Sequence, residues 1–516
     1  MNPPISFPKN FEKTINYFTQ PIGNFFTEHG VKAYLVGGFI RDSLADVPCH
    51  DIDIVVEDDP EPIARKFAKE FNASYFLLDP DHKIYRVLVH GGAELTPQSS
   101  KIPSVWNVDL APIQGSIEED LYMRDFTINA IALDLTKKTD NILETKLIDP
   151  MGGIEDLLSQ KTLRSVSPAA IHTDPVRILR GVRIGTRLGL SITAQTQIEM
   201  KLGSERLFSS APERIRNEIL NILSESNSTE SLLTLDTLGV LQEIFPRLSE
   251  GKGVSQPFEH YWDVFQHSIE AVKMTESILN KNFREQELIG KSIPWEPWLD
   301  DYFSEEVVDG YTRSVVLKLT ALLHDIAKPA TKTLDHTGRA RFIGHTNLGA
   351  SMCSDILKQL RLSGKGINMV TTMVEQHLRP GQLSQRGQQP TLKAIYRYFR
   401  DLDDVAIDTL FLNLADYLAA RGPKLDLDDW EVYCGLIAFT FNTRNDYSQE
   451  KQCPRFVDGH DLITIFKMNP GPRFRPLLEM IQEAQSTGLV NSREEALSLI
   501  ETTLTEEHMG VTRIYD

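Results

Sequence analysis

The pattern of apolar and polar residues divides the chain near residue 155. Before this point, short apolar runs bounded by glycine, proline and aspartate predict β-strands. The predicted strands are AYLVGG at 33–38, which runs into paired glycines, IDIVV at 52–56, YFLLD at 75–79, YRVLVH at 85–90 and SVWNVDLA at 104–111. Helical patterns occur at 11–29, 39–47 and 60–71, and the polar stretch TPQSSKIPS at 96–104 predicts a loop.

From residue 155 onward the strand signals fade and helical periodicity dominates. Breaks in this periodicity fall at 224–231, 289–297, 386–390 and 452–456. The pattern therefore predicts an α+β fold class, with an N-terminal α/β head followed by a long all-α body.

Length and composition are those of a soluble multidomain protein. A chain of 516 residues is too long for one core and should form three or four domains. No run approaches ~18 apolar residues, so no membrane-spanning helix is expected. The first residues lack a secretory pattern, and the four cysteines are widely spaced without a CxxC pair. These features favour a reducing, cytoplasmic location.

The charge distribution is uneven. A net charge of −18 argues against nonspecific nucleic-acid binding by the whole surface. Between Lys161 and Arg187, however, six basic residues stand against one acid, Asp174. On a helix, Arg177, Arg180, Arg183 and Arg187 of this segment would lie on one face, within an arc of about 120°. Such a face is either solvated and paired with acids, or it binds an anionic ligand. Because few acids lie nearby in sequence, the anionic ligand is favoured.

Two carboxylates, Asp51 and Asp53, flank Ile52 at the start of the strand predicted at 52–56. Alternation places Asp51 and Asp53 on one face, about 6–7 Å apart along the strand. Alone, such a pair is most simply a solvated strand face. Upstream, the Gly37-Gly38 turn and Arg41 at the start of a helix are suited to hold phosphates. Together the two features predict Mg²⁺ on the carboxylates and a triphosphate beside it.

Three stretches resemble the ordered signatures of class II tRNA nucleotidyltransferases, the family of CCA-adding enzymes and bacterial poly(A) polymerases. They are LVGGFIRDSLADVPCHDIDIVV at 35–56, GSIEEDLYMRDFTINAIALDL at 115–135 and HTDPVRILRGVR at 172–183, with further similarity at SREEALSLIE, 492–501. The resemblance implies a polymerase beta-like nucleotidyltransferase head at 1–154 and a helical neck with nucleotide-selecting and RNA-binding segments at 155–250. It also implies an HD-type helical domain at 251–425 and a tRNA-binding helical tail at 426–516.

The resemblance also implies roles for individual residues. The catalytic, magnesium-binding set is Asp51 and Asp53, with Asp109 as a candidate third carboxylate. The nucleotide-binding set is Gly37, Gly38, Arg41, Arg124, Asp174, Arg177, Arg180 and Arg183, in which Asp174 and Arg177 pair with the base. The chain departs from the family pattern at Tyr122 and Met123, before Arg124, and at Thr173, where glutamate is common.

A second candidate site lies in the helical body. LTALLHDIAKPAT at 319–331 ends an apolar helix in adjacent histidine and aspartate, which resembles the signature of HD-type metal-dependent phosphohydrolases. The implied metal ligands are His267, His324, Asp325 and Asp416, with His345 and His377 as further candidates. This donor set suits Mn²⁺, Ni²⁺, Fe or Zn²⁺, and Mg²⁺ is a further candidate. A lone histidine is more often structural, and that role is expected for His260.

The implied function is template-independent addition of CCA, or part of it, to the 3′ end of tRNA from CTP and ATP with release of pyrophosphate. CC-only addition, A-only addition and poly(A) synthesis remain alternatives within the family. An HD-type phosphohydrolase acting on RNA ends is the alternative of another class. The expected partners are tRNA, CTP and ATP, without a membrane, and protein partners are left open.

Overall fold

The protein forms two units, which comprise Met1–Ile244 and Phe245–Asp516. A computed structural model describes residues 7–8, 11–49, 51–90, 105–137, 147–384, 389–450 and 455–508. The loop predicted at 96–104 lies outside the described residues. So do His50 and parts of the breaks predicted at 386–390 and 452–456.

A seven-stranded sheet organises the first unit, with strand order β3-β4-β5-β2-β1-β6-β7. Its strands are β1 Ala33–Val36, β2 Asp51–Val56, β3 Ser74–Asp79, β4 Ile84–His90, β5 Val105–Pro112, β6 Ala132–Asp134 and β7 Leu147–Ile148. Strands β2 and β5 pair in parallel, and the other neighbours pair antiparallel. All strands predicted in the head are confirmed.

Different elements pack on the two faces of this sheet. On β2, Ile52 and Ile54 are buried on one face, where the amphipathic helix Pro60–Glu70 contributes Ile63 and Phe67. Asp51, Asp53 and Val55 alternate onto the other face. There Val55 joins an apolar cluster with the helix Ile117–Tyr122, and the two aspartates lie beyond it. The carboxylates thus occupy the more open part of the sheet.

Helices complete the first unit, some packed on the sheet and the later ones packed on one another. They are α1 Phe11–Glu28, α2 Gly38–Leu44, α3 Pro60–Glu70, α4 Ile117–Tyr122, α5 Gly153–Glu155, α6 Pro168–Thr173, α7 Arg177–Leu188, α8 Ala194–Ser204, α9 Pro212–Ser224, α10 Ser228–Thr237 and α11 Val240–Ile244. The pattern after 155 did not predict the short parallel pair β8 Thr162–Leu163 and β9 Ser191–Ile192. Two residues a strand are too few to show alternation.

The second unit is almost entirely helical. Its helices are α12 Pro246–Ser249, α13 Val264–Leu279, α14 Lys281–Gln286, α15 Leu288–Lys291, α16 Trp298–Ser304, α17 Arg313–Leu323, α18 Lys328–Thr331, α19 His345–Gln359, α20 Gly364–Gln376, α21 Arg379–Gln382, α22 Leu392–Leu402, α23 Ala406–Arg421, α24 Leu427–Glu450, α25 Gly459–Thr464, α26 Phe474–Ser486 and α27 Arg493–His508. Two small hairpins, β10 Glu306–Val308 with β11 Tyr311–Thr312 and β12 Thr333–Leu334 with β13 Ala340–Arg341, were not predicted. Of the breaks predicted at 224–231 and 289–297, residues 225–227 and 292–297 lie outside helices, whereas the remaining residues are helical.

Helix α23 is the central helix of this unit. Its sequence, AIDTLFLNLADYLAAR, is buried on nearly all sides, as an almost uniformly apolar helix should be. It packs against α13 and α17. The C-terminal helices α25 to α27 have an apolar core of their own, which includes Leu462, Ile481 and Ile500. No described helix is long and apolar enough to cross a membrane.

Candidate active sites

The parallel pairing of β2 with β5 builds the first site. In register, Asp53 lies opposite Asp109 and Asp51 opposite Asn107. The amide Nδ2 of Asn107 donates to Oδ1 of Asp51 at 2.8 Å. The pKa of Asp53 is raised to about 6, chiefly by burial and also by the charges of Asp109 and Asp51, against the lowering effect of Arg124. The strand therefore holds a carboxylate whose charge is poorly compensated, as a divalent cation site requires.

Asp109 is already paired. Arg86 of β4 donates to both of its carboxylate oxygens, from Nε and Nη2, at 2.8 Å each. No group of three metal-ligating side chains with all donor atoms within 4.8 Å forms among the described residues of the head. The residues present fit a metal held by Asp51 and Asp53, beside an Asp109 whose charge Arg86 balances. The sequence pattern did not identify Arg86.

The glycine turn lies directly against these carboxylates. Gly37 has φ 75° and ψ −134°, a conformation that side chains disfavour, and α2 begins at Gly38 without a side-chain cap. A Cβ on Gly37 would lie 3.2 Å from Nη1 of Arg124 and 3.3 Å from Oδ2 of Asp53. The backbone of the turn thus lies close to both Asp53 and Arg124, as expected for a phosphate site.

Two further arginines are oriented by acidic or amide side chains. Arg41 is buried, and its guanidinium donates to Asp42 at 2.7 Å and to Asn129 at 2.6 Å. Arg124 donates to Asp120, one helical turn before it, at 2.9 Å. Both cations are held in place by the fold before any anion binds.

The arginine face of α7 is paired with acids that lie far away in sequence. Arg180 contacts Asp125 at 3.3 Å and Glu218 at 3.4 Å, and Arg183 contacts Glu218 at 3.0 Å. Burial alone would lower the pKa of Arg180, but Asp125 and Glu218 raise it above the usual arginine value. The expectation that this face has few neutralising acids is wrong, because only acids close in sequence were considered.

The two residues expected to pair with the base, Asp174 and Arg177, are close together, but both are hydrogen-bonded to other groups of the protein. Asp174, at the end of α6, accepts from both Nη atoms of Arg214 at 2.9 and 2.7 Å and lies 3.5 Å from Nε of Arg177. Nη1 of Arg177 donates to the backbone carbonyls of Met123 and Arg124 at 3.3 Å each. This bond ties the start of α7 to the segment that carries Arg124. Sequence reasoning missed Arg214, for which no local signal exists.

The second site lies where α13, α17, α20 and α23 meet. Nε2 of His267 is 3.0 Å from Asp416, 3.3 Å from Asp325 and 3.2 Å from Nε2 of His324. His345 and His377 approach Asp325 at 3.4 and 3.8 Å. All six predicted ligands are thus brought together, and they form three overlapping groups that could each hold a metal ion.

Backbone bonds orient three of the imidazoles. Nδ1 of His324, His345 and His377 pairs with the carbonyls of Ala321, Phe342 and Val374 at 2.7–2.8 Å. A donor Nδ1–H leaves the lone pair on Nε2, which faces the cluster, so this arrangement is typical of metal ligands. Burial would raise the pKa of Asp325 and Asp416. Interactions with His324 and Lys328 keep the pKa of Asp325 well below its usual range, and hydrogen bonds from His267 and His324 do so for Asp416.

Lys328 and His260 lie beside this cluster. Nζ of Lys328 is 2.6 Å from Asp325 and 3.4 Å from Nε2 of His260. Burial lowers the pKa of His260 to about 3, so it is neutral and can accept from the lysine. His260 was expected to be structural, and it packs against His267 with ring centroids 5.2 Å apart. Lys328, one turn after Asp325, is part of the signature at 319–331, but no role in the site was predicted for it.

Three family models match successive segments of the chain. Residues 33–164 match the poly A polymerase head domain, and residues 189–251 match a probable RNA and SrmB-binding site of polymerase A. Residues 264–421 match the HD domain. The paired carboxylates and the phosphate turn lie in the first match, and the histidine-aspartate cluster lies in the third.

Similar proteins extend over almost the whole chain. The A-adding tRNA nucleotidyltransferase of Deinococcus radiodurans is 30% identical over 475 residues, which cover 91% of this chain and 95% of the relative. The CC-adding tRNA nucleotidyltransferase of Thermus thermophilus is 27% identical over 91% of this chain and 93% of its own. A CCA-adding enzyme solved with CTP shares the fold, with a TM-score of 0.61, 21% identity and coverage of 96% and 98%.

The fold and the head site together define an enzyme of the nucleotidyltransferase type. More narrowly, the chain belongs to the family of tRNA nucleotidyltransferases and bacterial poly(A) polymerases, and it carries an HD domain.

Proposed function

We propose that this enzyme adds nucleotides of the CCA sequence to the 3′ end of tRNA, using CTP and ATP and releasing pyrophosphate. The observation that carries the proposal is the pair Asp51 and Asp53 on one face of the sheet, where Asp53 and Arg124 both lie next to the Gly37 turn. The substrates follow from the relatives, which are described as A-adding and CC-adding tRNA nucleotidyltransferases. These substrates are found in the cytoplasm, where we place the enzyme.

Asp51 and Asp53 would hold Mg²⁺, since paired carboxylates together with substrate phosphates are the usual ligands of this ion. When bound, the ion activates the 3′-hydroxyl for in-line attack on the α-phosphorus and neutralises the departing pyrophosphate. Asp109 contributes negative potential next to Asp53, and Arg86 limits it.

The chain's own groups bind and orient the nucleotide. Gly37, Gly38 and Arg41 receive the triphosphate, while Arg124, Arg180 and Arg183 contact its phosphates and ribose. Asp174 and Arg177 pair with the edge of the base. Because Asp174 accepts from Arg214 in the structure, a base must share or replace that arginine, which makes base binding an exchange of hydrogen bonds.

Asp51→Asn and Asp53→Asn test the proposal, with Asp58→Asn as the matched control on the exposed turn after β2. Radiolabelled CTP and ATP are supplied with tRNA transcripts that lack part or all of CCA. The first two variants should lose incorporation while keeping the thermal unfolding temperature, and the control should remain active. Undiminished incorporation by Asp51→Asn would contradict the proposal.

We infer a second activity for the HD domain, metal-dependent phosphohydrolysis at RNA ends. The specific observation is the buried cluster of His267, His324, Asp325, His345, His377 and Asp416. A histidine-rich set favours Mn²⁺, Ni²⁺, Fe or Zn²⁺ over Mg²⁺. His324→Ala should lose both bound metal, measured by elemental analysis, and phosphodiesterase activity, whereas His336→Ala, an exposed control, should lose neither. Full metal content in the first variant would refute the site.

A further inference from the structure

A row of side chains crosses the sheet from the carboxylates to its edge. Asp53 is in register with Asp109, Asp109 with Arg86, and Arg86 with Phe76. Residues directly opposite one another on paired strands point to the same face. Phe76 of the edge strand β3 therefore shares a face with Asp53, and three strand spacings of about 4.8 Å separate them by roughly 14 Å.

Phe76 is 45% exposed although it is a large apolar side chain in a strand. Its neighbour in the row is the guanidinium of Arg86, which Asp109 holds on the same face. The row thus presents two carboxylates, a guanidinium paired with the second of them, and an exposed aromatic ring, in this order. An exposed ring beside an arginine is the combination with which proteins bind single-stranded RNA, by stacking a base and attracting its phosphates.

The row lies on the side of Asp53 that the triphosphate leaves free, which assigns it to the RNA. The phosphate turn at Gly37 follows β1 and lies next to both Asp53 and Arg124, on the side of Asp53 opposite to β5. With the nucleoside triphosphate on that side, the attacking 3′ end must approach Asp53 from β5, β4 and β3. An RNA strand that ends at Asp53 and runs along this face passes Arg86 and then Phe76.

We propose that Phe76 is a positioning residue that stacks on a base within the unpaired 3′ end of tRNA, a few nucleotides before the attacking hydroxyl. This inference rests on the proposed tRNA function and adds to it a binding surface for the RNA end. Stacking tolerates any base, so the same residue serves as the end grows from one nucleotide to the next.

Phe76→Ala and Phe76→Trp are compared with Tyr75→Ala. Tyr75 is the adjacent, exposed aromatic of β3, but it pairs with Val87, whose side chain is buried on the opposite face. Tyr75→Ala therefore removes a similar apolar area from the same strand without touching the row. The readouts are the KM for tRNA, the KM for the nucleotide, and the oligomeric state by light scattering.

Phe76→Ala should raise the KM for tRNA about tenfold, the loss expected for one stacked base, with the nucleotide KM unchanged. Phe76→Trp should restore it, and Tyr75→Ala should stay within twofold of the parent. A tRNA KM unchanged in Phe76→Ala would overturn the inference. The inference would also be overturned if the parent enzyme were a dimer that both Phe76→Ala and Tyr75→Ala disrupt. The edge strand β3 would then pair with a second copy of this chain instead of contacting RNA. An inactive parent enzyme would instead contradict the proposed function itself.

Discussion

Alanine should have different consequences at the two glycines of the phosphate turn, Gly37 and Gly38. Gly37 has φ 75° and ψ −134°, a region that is essentially restricted to glycine. Alanine there costs about 1–3 kcal/mol of backbone strain. Its Cβ would also lie 3.2 Å from Arg124 and 3.3 Å from Asp53, closer than ordinary contact. In a unit of this size, each kcal/mol of lost stability lowers the melting temperature by about 2–4 °C. Gly37→Ala should therefore melt at a temperature lower by roughly 2–12 °C.

Gly38 is the matched position. It is the first residue of α2, and a Cβ there would lie 3.6 Å from Nη2 of Arg41, which is an ordinary contact. Gly38→Ala should therefore keep the melting temperature. Its methyl group would, however, project beside Arg41 into the space assigned to the triphosphate, so the KM for the nucleotide should rise.

Circular dichroism melts and steady-state incorporation assays on both variants check this pair of predictions. The reasoning predicts that Gly37→Ala loses stability and activity, whereas Gly38→Ala loses nucleotide affinity alone. Equal destabilisation of the two variants, or an unchanged nucleotide KM in Gly38→Ala, would refute the proposed arrangement of the turn.

Three other predictions concern the elements around the two sites. Gly181→Ala should destabilise the first unit by about 1–3 kcal/mol in denaturant titrations, because its Cβ would lie 2.4 Å from the ring of Phe126. Glu218→Ala should cost about 1–3 kcal/mol and raise the nucleotide KM, since it leaves Arg183 without its partner on a partly exposed face. Asp416→Asn should lower the metal content of the HD domain while incorporation at the head persists.

Each of these variants has a control in the chain. Gly435→Ala, on an exposed helix face with no atom near the new Cβ, should be neutral or slightly stabilising. Glu213, the control for Glu218, is exposed on the same helix, and Asp429, the control for Asp416, is an exposed aspartate of the second unit. The control variants are Glu213→Ala and Asp429→Asn. Controls as damaging as the test variants would contradict the structural reasons given.

The head could be predicted well because its signals are local. Alternation in IDIVV fixed both the strand and the shared face of Asp51 and Asp53, and the glycine pair marked the turn. The six metal-type residues of the HD domain were also identified, because the resemblance supplied their order. The structure brings all six into one cluster.

The pairings could not be predicted because they join distant segments. Arg86 lies 23 residues from Asp109, and Arg214 lies 40 residues from Asp174. A single sequence shows which face a residue occupies but not what lies opposite it. For this reason the arginines of α7 looked uncompensated, although Glu218 and Asp125 pair with them.

The most direct test of the central claim uses three tRNA transcripts, ending before CCA, after CC and after CCA. Each is incubated with the parent enzyme and Mg²⁺, with CTP alone, ATP alone or both, and product lengths are read at single-nucleotide resolution. The account predicts extension of at least one incomplete transcript by nucleotides of the CCA sequence, with equimolar pyrophosphate release. Loss of this extension in Asp53→Asn is also expected. Failure to extend either incomplete transcript with any nucleotide combination would contradict it.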